Sequence, residues 1–439
     1  MSKRNAWKLS LLITLLSSAL LIAQAPRSAT TPRSEKSKAM TTAEVEKMTA
    51  EVLTQVSEIR GLKLLHPVKS GAKSRAEIEQ MVIKNFDEET TPAELDAEYK
   101  TLLAFGLAPK GFKYRDFLIK LLTEQIAGFY DPKKKEFNLA DWNPLELQKT
   151  VMAHELTHAL QDQHFDLTRF DKWPKGDSDR ESAIHALIEG DATALMIDYL
   201  MKPMGRSVTQ IPKTLLDQMN AQTSAPGMDV INSAPNAIRE SLIFPYSYGM
   251  GFAYQLLKDK GWEGVSQAYS NLPQSSEQIL HYEKYAAKEM PIKIELADLS
   301  GPLSKGWKRV KFDINGEFGY YLALVEYISK DAARKASEGW GGDQFALYEN
   351  ATQTKTTLAH LSVWDTEADA EEFFSAYNER TAKRYPQVKP NSTAKQFVYT
   401  TPDGVTLIEA RGKNVLVLEG AAAAGVKAVA AKCWESKIS

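Results

Sequence analysis

Cysteine is almost absent. The 439 residues hold one, Cys433, so no disulfide can form within the chain, and the fold must rest on packing and on whatever metal its donors can hold. Net charge is nearly absent too: 54 Lys and Arg stand against 56 Asp and Glu, a formal charge of -2 with both signs spread along the chain. There is no basic stripe of the kind that neutralises phosphates, which sets nucleic acid aside as a partner. Long apolar runs are scarce as well. The run from Leu9 to Ala23 covers 15 residues, short of the roughly 20 that span a bilayer. Lys3, Arg4 and Lys8 precede it and Ala23-Gln24-Ala25 follows. That is the charged, apolar and small-residue order of a secretory signal, expected over residues 1–25. The expectation is therefore export to the periplasm or beyond, with no integral membrane span after cleavage.

Residues 26–40, "PRSATTPRSEKSKAM", are too poor in apolar groups to pack and read as a flexible linker. Order is expected from residue 41. Thr41-x-x-Glu44, Ser74-x-x-Glu77 and Thr91-Pro92-x-Glu94 are capping-box starts, so 41–126 reads as mainly helical. The stretch "AGFYDPKKKEFNLA", turning at Asp131-Pro132, reads as a hairpin over Ala127 to Ala140. Asn143-Pro144-x-Glu146 then starts a helix carrying His154, His158 and His164, and Ser178-x-x-Glu181 starts a second that runs to about Leu200. A third covers "YGMGFAYQLLKDK" before Gly261. Beyond about residue 300 the pattern changes to short strand-like runs, "QFALYEN", "TTLAHLSVW", "KQFVYTT", "GVTLIEA" and "NVLVLEG", with a helix from Thr366-x-x-Asp369 among them. The expected fold class is α+β. A mostly helical region with a small sheet (41–300, its metal site within 127–300) is followed by an α+β domain with an antiparallel sheet over 301–439.

His154-Glu155-Leu156-Thr157-His158 is H-E-x-x-H on a helix. Residues four apart lie one turn above each other, so both imidazoles aim at one point and can share one ion. Glu155, beside the first ligand, is placed to serve as general base toward a zinc-activated water.

The third ligand is less direct. His164 has the third-histidine spacing of H-E-x-x-H-x-x-G-x-x-H, but that motif needs a glycine to turn the chain back, and Gln161 stands there. On a continuing helix His164 would sit about 120° around and about 9 Å along from His158, too far to share an ion. A glutamate from the second helix is the other solution. Glu181 is expected to cap its own helix. Glu189 lies mid-helix among Ala186, Leu187, Ile188 and Ala192, where a carboxylate without a cationic partner would be costly, and is preferred. Gly190 would let this helix approach the first closely. Asp162 and Asp191 can orient a ligand imidazole or stand as solvated charges, and His185 can border the site or sit as a core histidine. For the oxyanion, His281 and Tyr248 are the candidates, with Tyr246 close by in sequence.

With its glutamate 31 residues on in "ALIEGDATAL", HELTH resembles the gluzincins, the thermolysin-like clan of zinc metallopeptidases. The stretches "AGFYDP", "HELTHALQDQHFDL", "EGDAT", "PYSYGMGFAYQL", "SSEQILHYEKY" and "GWGGDQFALY" are together similar to a family of mostly uncharacterised exported bacterial proteins classed as metallopeptidases. The resemblance implies one Zn2+ ion held by His154, His158 and Glu189, with Glu155 as base and a peptide or protein as substrate. It also implies a strand-edged cleft with "EFNLA" as the edge along which an extended peptide lies. The other expectation kept open is a non-catalytic protein that uses zinc for stability and binds a peptide or an envelope partner.

Overall fold

Thr41, Ser74 and Thr91 each accept a hydrogen bond from the backbone of the glutamate three residues on, whose carboxylate returns to the cap nitrogen. Two orphan donors are satisfied at each start. These boxes open α1 (Thr42–Arg60), α2 (Arg75–Glu89) and α3 (Pro92–Phe105) in the computed structural model, and α4 (Tyr114–Gln125) follows. Gly61, at φ 73°, ends α1 in the left-handed region. The structure describes residues 41–439 apart from 142–144, 173–174, 213 and 216–228. The signal-like segment 1–25, the linker 26–40 and the Asn143-Pro144 start signal lie outside the described residues.

The hairpin forms as β2 (Gly128–Asp131) and β3 (Glu136–Ala140), its turn held by Asp131 Oδ1 accepting from the backbone of Lys133 and Lys134. Its place in the sheet differs from the expectation. A strand not read in the sequence, β1 (Lys69–Lys73), pairs in parallel with β3, giving the order β1-β3-β2. "EFNLA" is therefore the central strand, hydrogen-bonded on both sides, and cannot be the edge against which a peptide lies. The strand whose backbone bonds a side chain of the histidine-bearing helix is β2.

Helix α5 (Leu145–Phe165) carries the histidines, and α6 (Ser178–Met201) runs against it. The cap of α6 is Asp177, whose side chain accepts from Arg180 N, so a simple cap one residue earlier takes the place of the box expected at Ser178 and Glu181. Helix α7 (Asn236–Ala268) passes through Pro245 and kinks where Lys260 and Gly261 leave helical geometry. Gly190 does allow a close approach, but of α7. A Cβ on Gly190 would lie 2.0 Å from Gly249 O, and one on Gly249 would lie 2.1 Å from Ala186 O. Among the described residues no helix is long and apolar enough to cross a membrane.

The C-terminal part holds a seven-stranded antiparallel sheet. Its order is β4 (Lys308–Asp313), β5 (Trp340–Glu349), β6 (Thr356–Trp364), β10 (Asn414–Ala421), β9 (Gly404–Arg411), β8 (Gln396–Thr401) and β7 (Asn391–Thr393). Strand alternation divides its two faces: Val415 and Val417 join one cluster, Leu416 and Leu418 another. The first face is covered by α8 (Gly316–Val325) and α9 (Glu367–Arg384). The cluster on that face also takes in Ala186 and Leu187 of α6 and Phe244 and Phe252 of α7, so one continuous core crosses residue 300. The class is α+β.

Candidate metal centre

From Val151 to Asp162 every residue of α5 is buried, and so is every residue of α6 from Ala183 to Asp198. Helices buried on all sides must satisfy their polar side chains internally, and here those side chains meet one another.

Three donor atoms converge. His154 Nε2 lies 3.1 Å from Glu189 Oε2 and 3.2 Å from His158 Nε2, and His158 Nε2 lies 3.5 Å from Glu189 Oε2. His154, His158 and Glu189 form a buried group whose ligand-type atoms could hold a metal ion. Two atoms of this group, His154 Nδ1 and Glu189 Oε1, are buried without a hydrogen-bond partner among the described residues. Burial pushes the Glu189 carboxyl up, but the two imidazoles more than reverse this and hold it at about 2, so it is an anion. Burial lowers His154. It also acts to lower His158, where the Glu189 charge prevails and raises the ring to about 9.

Glu155 is 1% exposed, and its Oε2 accepts from Tyr130 N of β2 at 3.1 Å. The carboxylate is thus fixed between its own helix and the outer edge of β2. Asp162 does not orient a ligand ring. It accepts from Tyr130 Oη and Lys135 Nζ, at 2.7 and 2.6 Å, and from Leu167 N, tying the hairpin to the end of α5. Asp191 does bear on a candidate ligand, through Gln161: Gln161 Nε2 donates to Asp191 Oδ2 at 3.0 Å, and His158 Nδ1 lies 2.8 Å from Gln161 Oε1. His185 is buried, and burial lowers it to about 4.

The other sequence candidates are placed elsewhere. His164 Nε2 donates to Lys63 O at 2.7 Å on the outside of the helix end. His281 Nε2 bonds Glu317 Oε1 of α8 at 2.9 Å. Tyr248 Oη accepts from Arg334, and its ring packs against Phe244 and Phe318. Tyr246 is the tyrosine beside the triad, its ring centroid 6.3 Å from that of His154. Two residues along a helix turn the side chain by about 200°, so facing Tyr246 to His154 sends Tyr248 away. Helix phase was the signal that could have separated the two tyrosines. Gln161 had no such signal, since its role depends on Asp191 across the helix interface.

The family model of a domain of unknown function (DUF8575) matches residues 304–430, the region of the antiparallel sheet, which contains none of the three convergent side chains. No curated protein and no solved structure matches the chain.

Proposed function

We propose that the chain is an exported zinc-dependent metallopeptidase acting on peptides or proteins, with His154, His158 and Glu189 as the protein ligands of one zinc ion. The observation that carries this is the triangle of 3.1, 3.2 and 3.5 Å between their donor atoms. Ligands at about 2.0–2.1 Å from a tetrahedral zinc are about 3.3 Å apart, which these three separations bracket. The partnerless Glu189 Oε1 and the anionic state of its carboxyl suit a cation in the same place. Two imidazoles and one carboxylate leave a fourth position for solvent or substrate, which suits a catalytic rather than a structural centre.

Zinc bound there would supply Lewis acidity, acidifying a water and polarising a scissile carbonyl. Glu155 takes the proton of the attacking water and passes it to the departing amine. Tyr130 N–H holds that carboxylate in place, and the Tyr246 ring centroid lies 6.3 Å from that of His154.

The test is Glu155→Gln, which keeps size and hydrogen bonding but removes basicity. Zinc content and melting temperature are expected to match wild type, while chelator-sensitive cleavage of an unfolded protein drops by about 10²- to 10⁴-fold or more. Equal cleavage by both forms would remove Glu155 from the mechanism. A second reading, a zinc-stabilised protein that binds a peptide or envelope partner, is favoured by one observation: His154, Glu155, His158 and Glu189 are all under 5% exposed. It predicts no cleavage of any substrate by wild type together with a chelator-sensitive melting temperature.

A further inference from the structure

Gln161 Nε2 has two acceptors, Ile188 O and Asp191 Oδ2, each at 3.0 Å. Both can only accept, so the amide nitrogen must face them and the amide oxygen must face His158 Nδ1 at 2.8 Å. An amide oxygen cannot donate, so His158 carries its proton on Nδ1. In the neutral ring its Nε2 then keeps a lone pair, aimed where His154 and Glu189 converge. Asp191 anchors this orientation. Its Oδ1 accepts from Arg60 Nε at 2.7 Å, and its Oδ2 accepts from the second guanidinium nitrogen at 3.1 Å and from Tyr269 Oη at 3.0 Å. The third Arg60 nitrogen donates to Trp262 O and Ser266 Oγ, and the guanidinium lies over the Trp262 ring. Both charged side chains are 0% exposed.

We propose that Arg60, the last residue of α1, is a positioning residue of the metal site, acting through Asp191 and Gln161 to fix the tautomer and direction of His158. Helix α1 is then part of the working unit of the mature protein, not a segment removed on activation. The inference rests on the reading of His158 as a zinc ligand. A second contact binds the same helix to the same place: Val45, Val52 and Val56 of α1 share a buried cluster with Leu156, Ala159 and Leu160 of α5. An arginine is required because its fork spans both carboxylate oxygens while a third nitrogen holds α7, which a lysine cannot do.

Gln161→Met keeps the length of the side chain and removes both amide functions. Its zinc dissociation constant is expected to rise about 10- to 100-fold, the usual effect of losing a partner behind a ligand histidine. Arg60→Met alone strands a buried carboxylate and risks the fold, so the deciding variant is Arg60→Met with Asp191→Asn, which removes both charges together. It is expected to fold and to bind zinc at least about 10-fold more weakly, while Arg60→Lys recovers only part of the loss. In the metal-free protein, at a pH high enough for the ring to be neutral, 15N NMR should find His158 as the Nδ1–H tautomer in wild type and as a mixture in Gln161→Met and in the double variant. Wild-type zinc affinity and tautomer in a folded double variant would overturn the proposal, as would a neutral wild-type His158 ring protonated on Nε2 instead of Nδ1. If wild type takes up no zinc, the peptidase reading falls by itself. The tautomer comparison, made without metal, still decides the relay.

Discussion

Glu181 and Glu189 show how far a single residue type can be read from its neighbours. Glu189 was legible as a partner of the two histidines because a mid-helix carboxylate flanked by alanine, leucine and isoleucine needs a cationic partner, and the structure sets it 3.1 Å from His154. Glu189→Ala should abolish stoichiometric zinc uptake, while Glu181→Ala and His164→Ala should retain it, as metal analysis of the three purified proteins would reveal. His164 bonds only a carbonyl at an exposed helix end, so its loss should change stability by about 1 kcal/mol or less in urea unfolding. Zinc retained by Glu189→Ala, or lost from His164→Ala, would reassign the ligand set. What the sequence concealed at this scale were contacts reaching across the fold: Gln161 stood in the place of a turning glycine, and Arg60 carried no signal at all. Their roles depend on Asp191, 30 and 131 positions away.

At the scale of elements, what could be read followed from how local the signal was. Capping boxes at Thr41, Ser74, Thr91 and Thr366 lie within four residues and mark real helix starts. Strand β1, "KSGAK", has no alternation and a central glycine, so it was invisible until β3 offered it a parallel partner, and with it the edge of the sheet was misassigned. The crossing of α6 and α7 was half legible, since Gly190 announces a close neighbour without saying which. Here backbone meets backbone, and no side chain can yield to an added methyl group. Gly190→Ala should therefore destabilise the protein by about 3 kcal/mol or more, at the upper end of overpacking costs, and should weaken zinc binding by shifting Glu189. Urea unfolding and zinc titration test both, and a neutral Gly190→Ala would mean that the two helices can separate freely.

The whole molecule is held together across residue 300 by more than apolar contact. Arg384 donates to Leu103 O and Ala104 O at the end of α3, Arg380 donates to Phe105 O, and Tyr327 donates to Gly106 O. Cations and donors from the C-terminal part thus cap a helix of the N-terminal part. A chain ended at Gly301 would expose Phe244, Phe252 and the end of α3, and should show no cooperative thermal transition in calorimetry. A sharp transition would make the sheet an accessory. Acid sensitivity is built in at the same level. His360 sits between Tyr320 and Tyr377, and because Tyr377 donates to Glu419, it must accept from His360 Nε2, leaving Nδ1 to accept from Tyr320. Burial pushes this histidine down to about 3. Its contribution is therefore complete above the unfolded value of about 6.5 and is lost as pH falls from there toward about 3. His360→Gln should flatten the pH dependence of the urea midpoint over that window, and an unchanged slope would place the titration elsewhere. The capping of α3 by Arg380 and Arg384 also carries a consequence for time. Its bonds join residues 275 to 281 positions apart, so the carbonyls of an early helix stay unsatisfied until nearly the whole chain is available. Loop closures of that length favour slow, late consolidation. The newly made chain should accordingly remain open to proteolysis until its final strands dock, a delay that would suit a polypeptide threaded across a membrane before it folds.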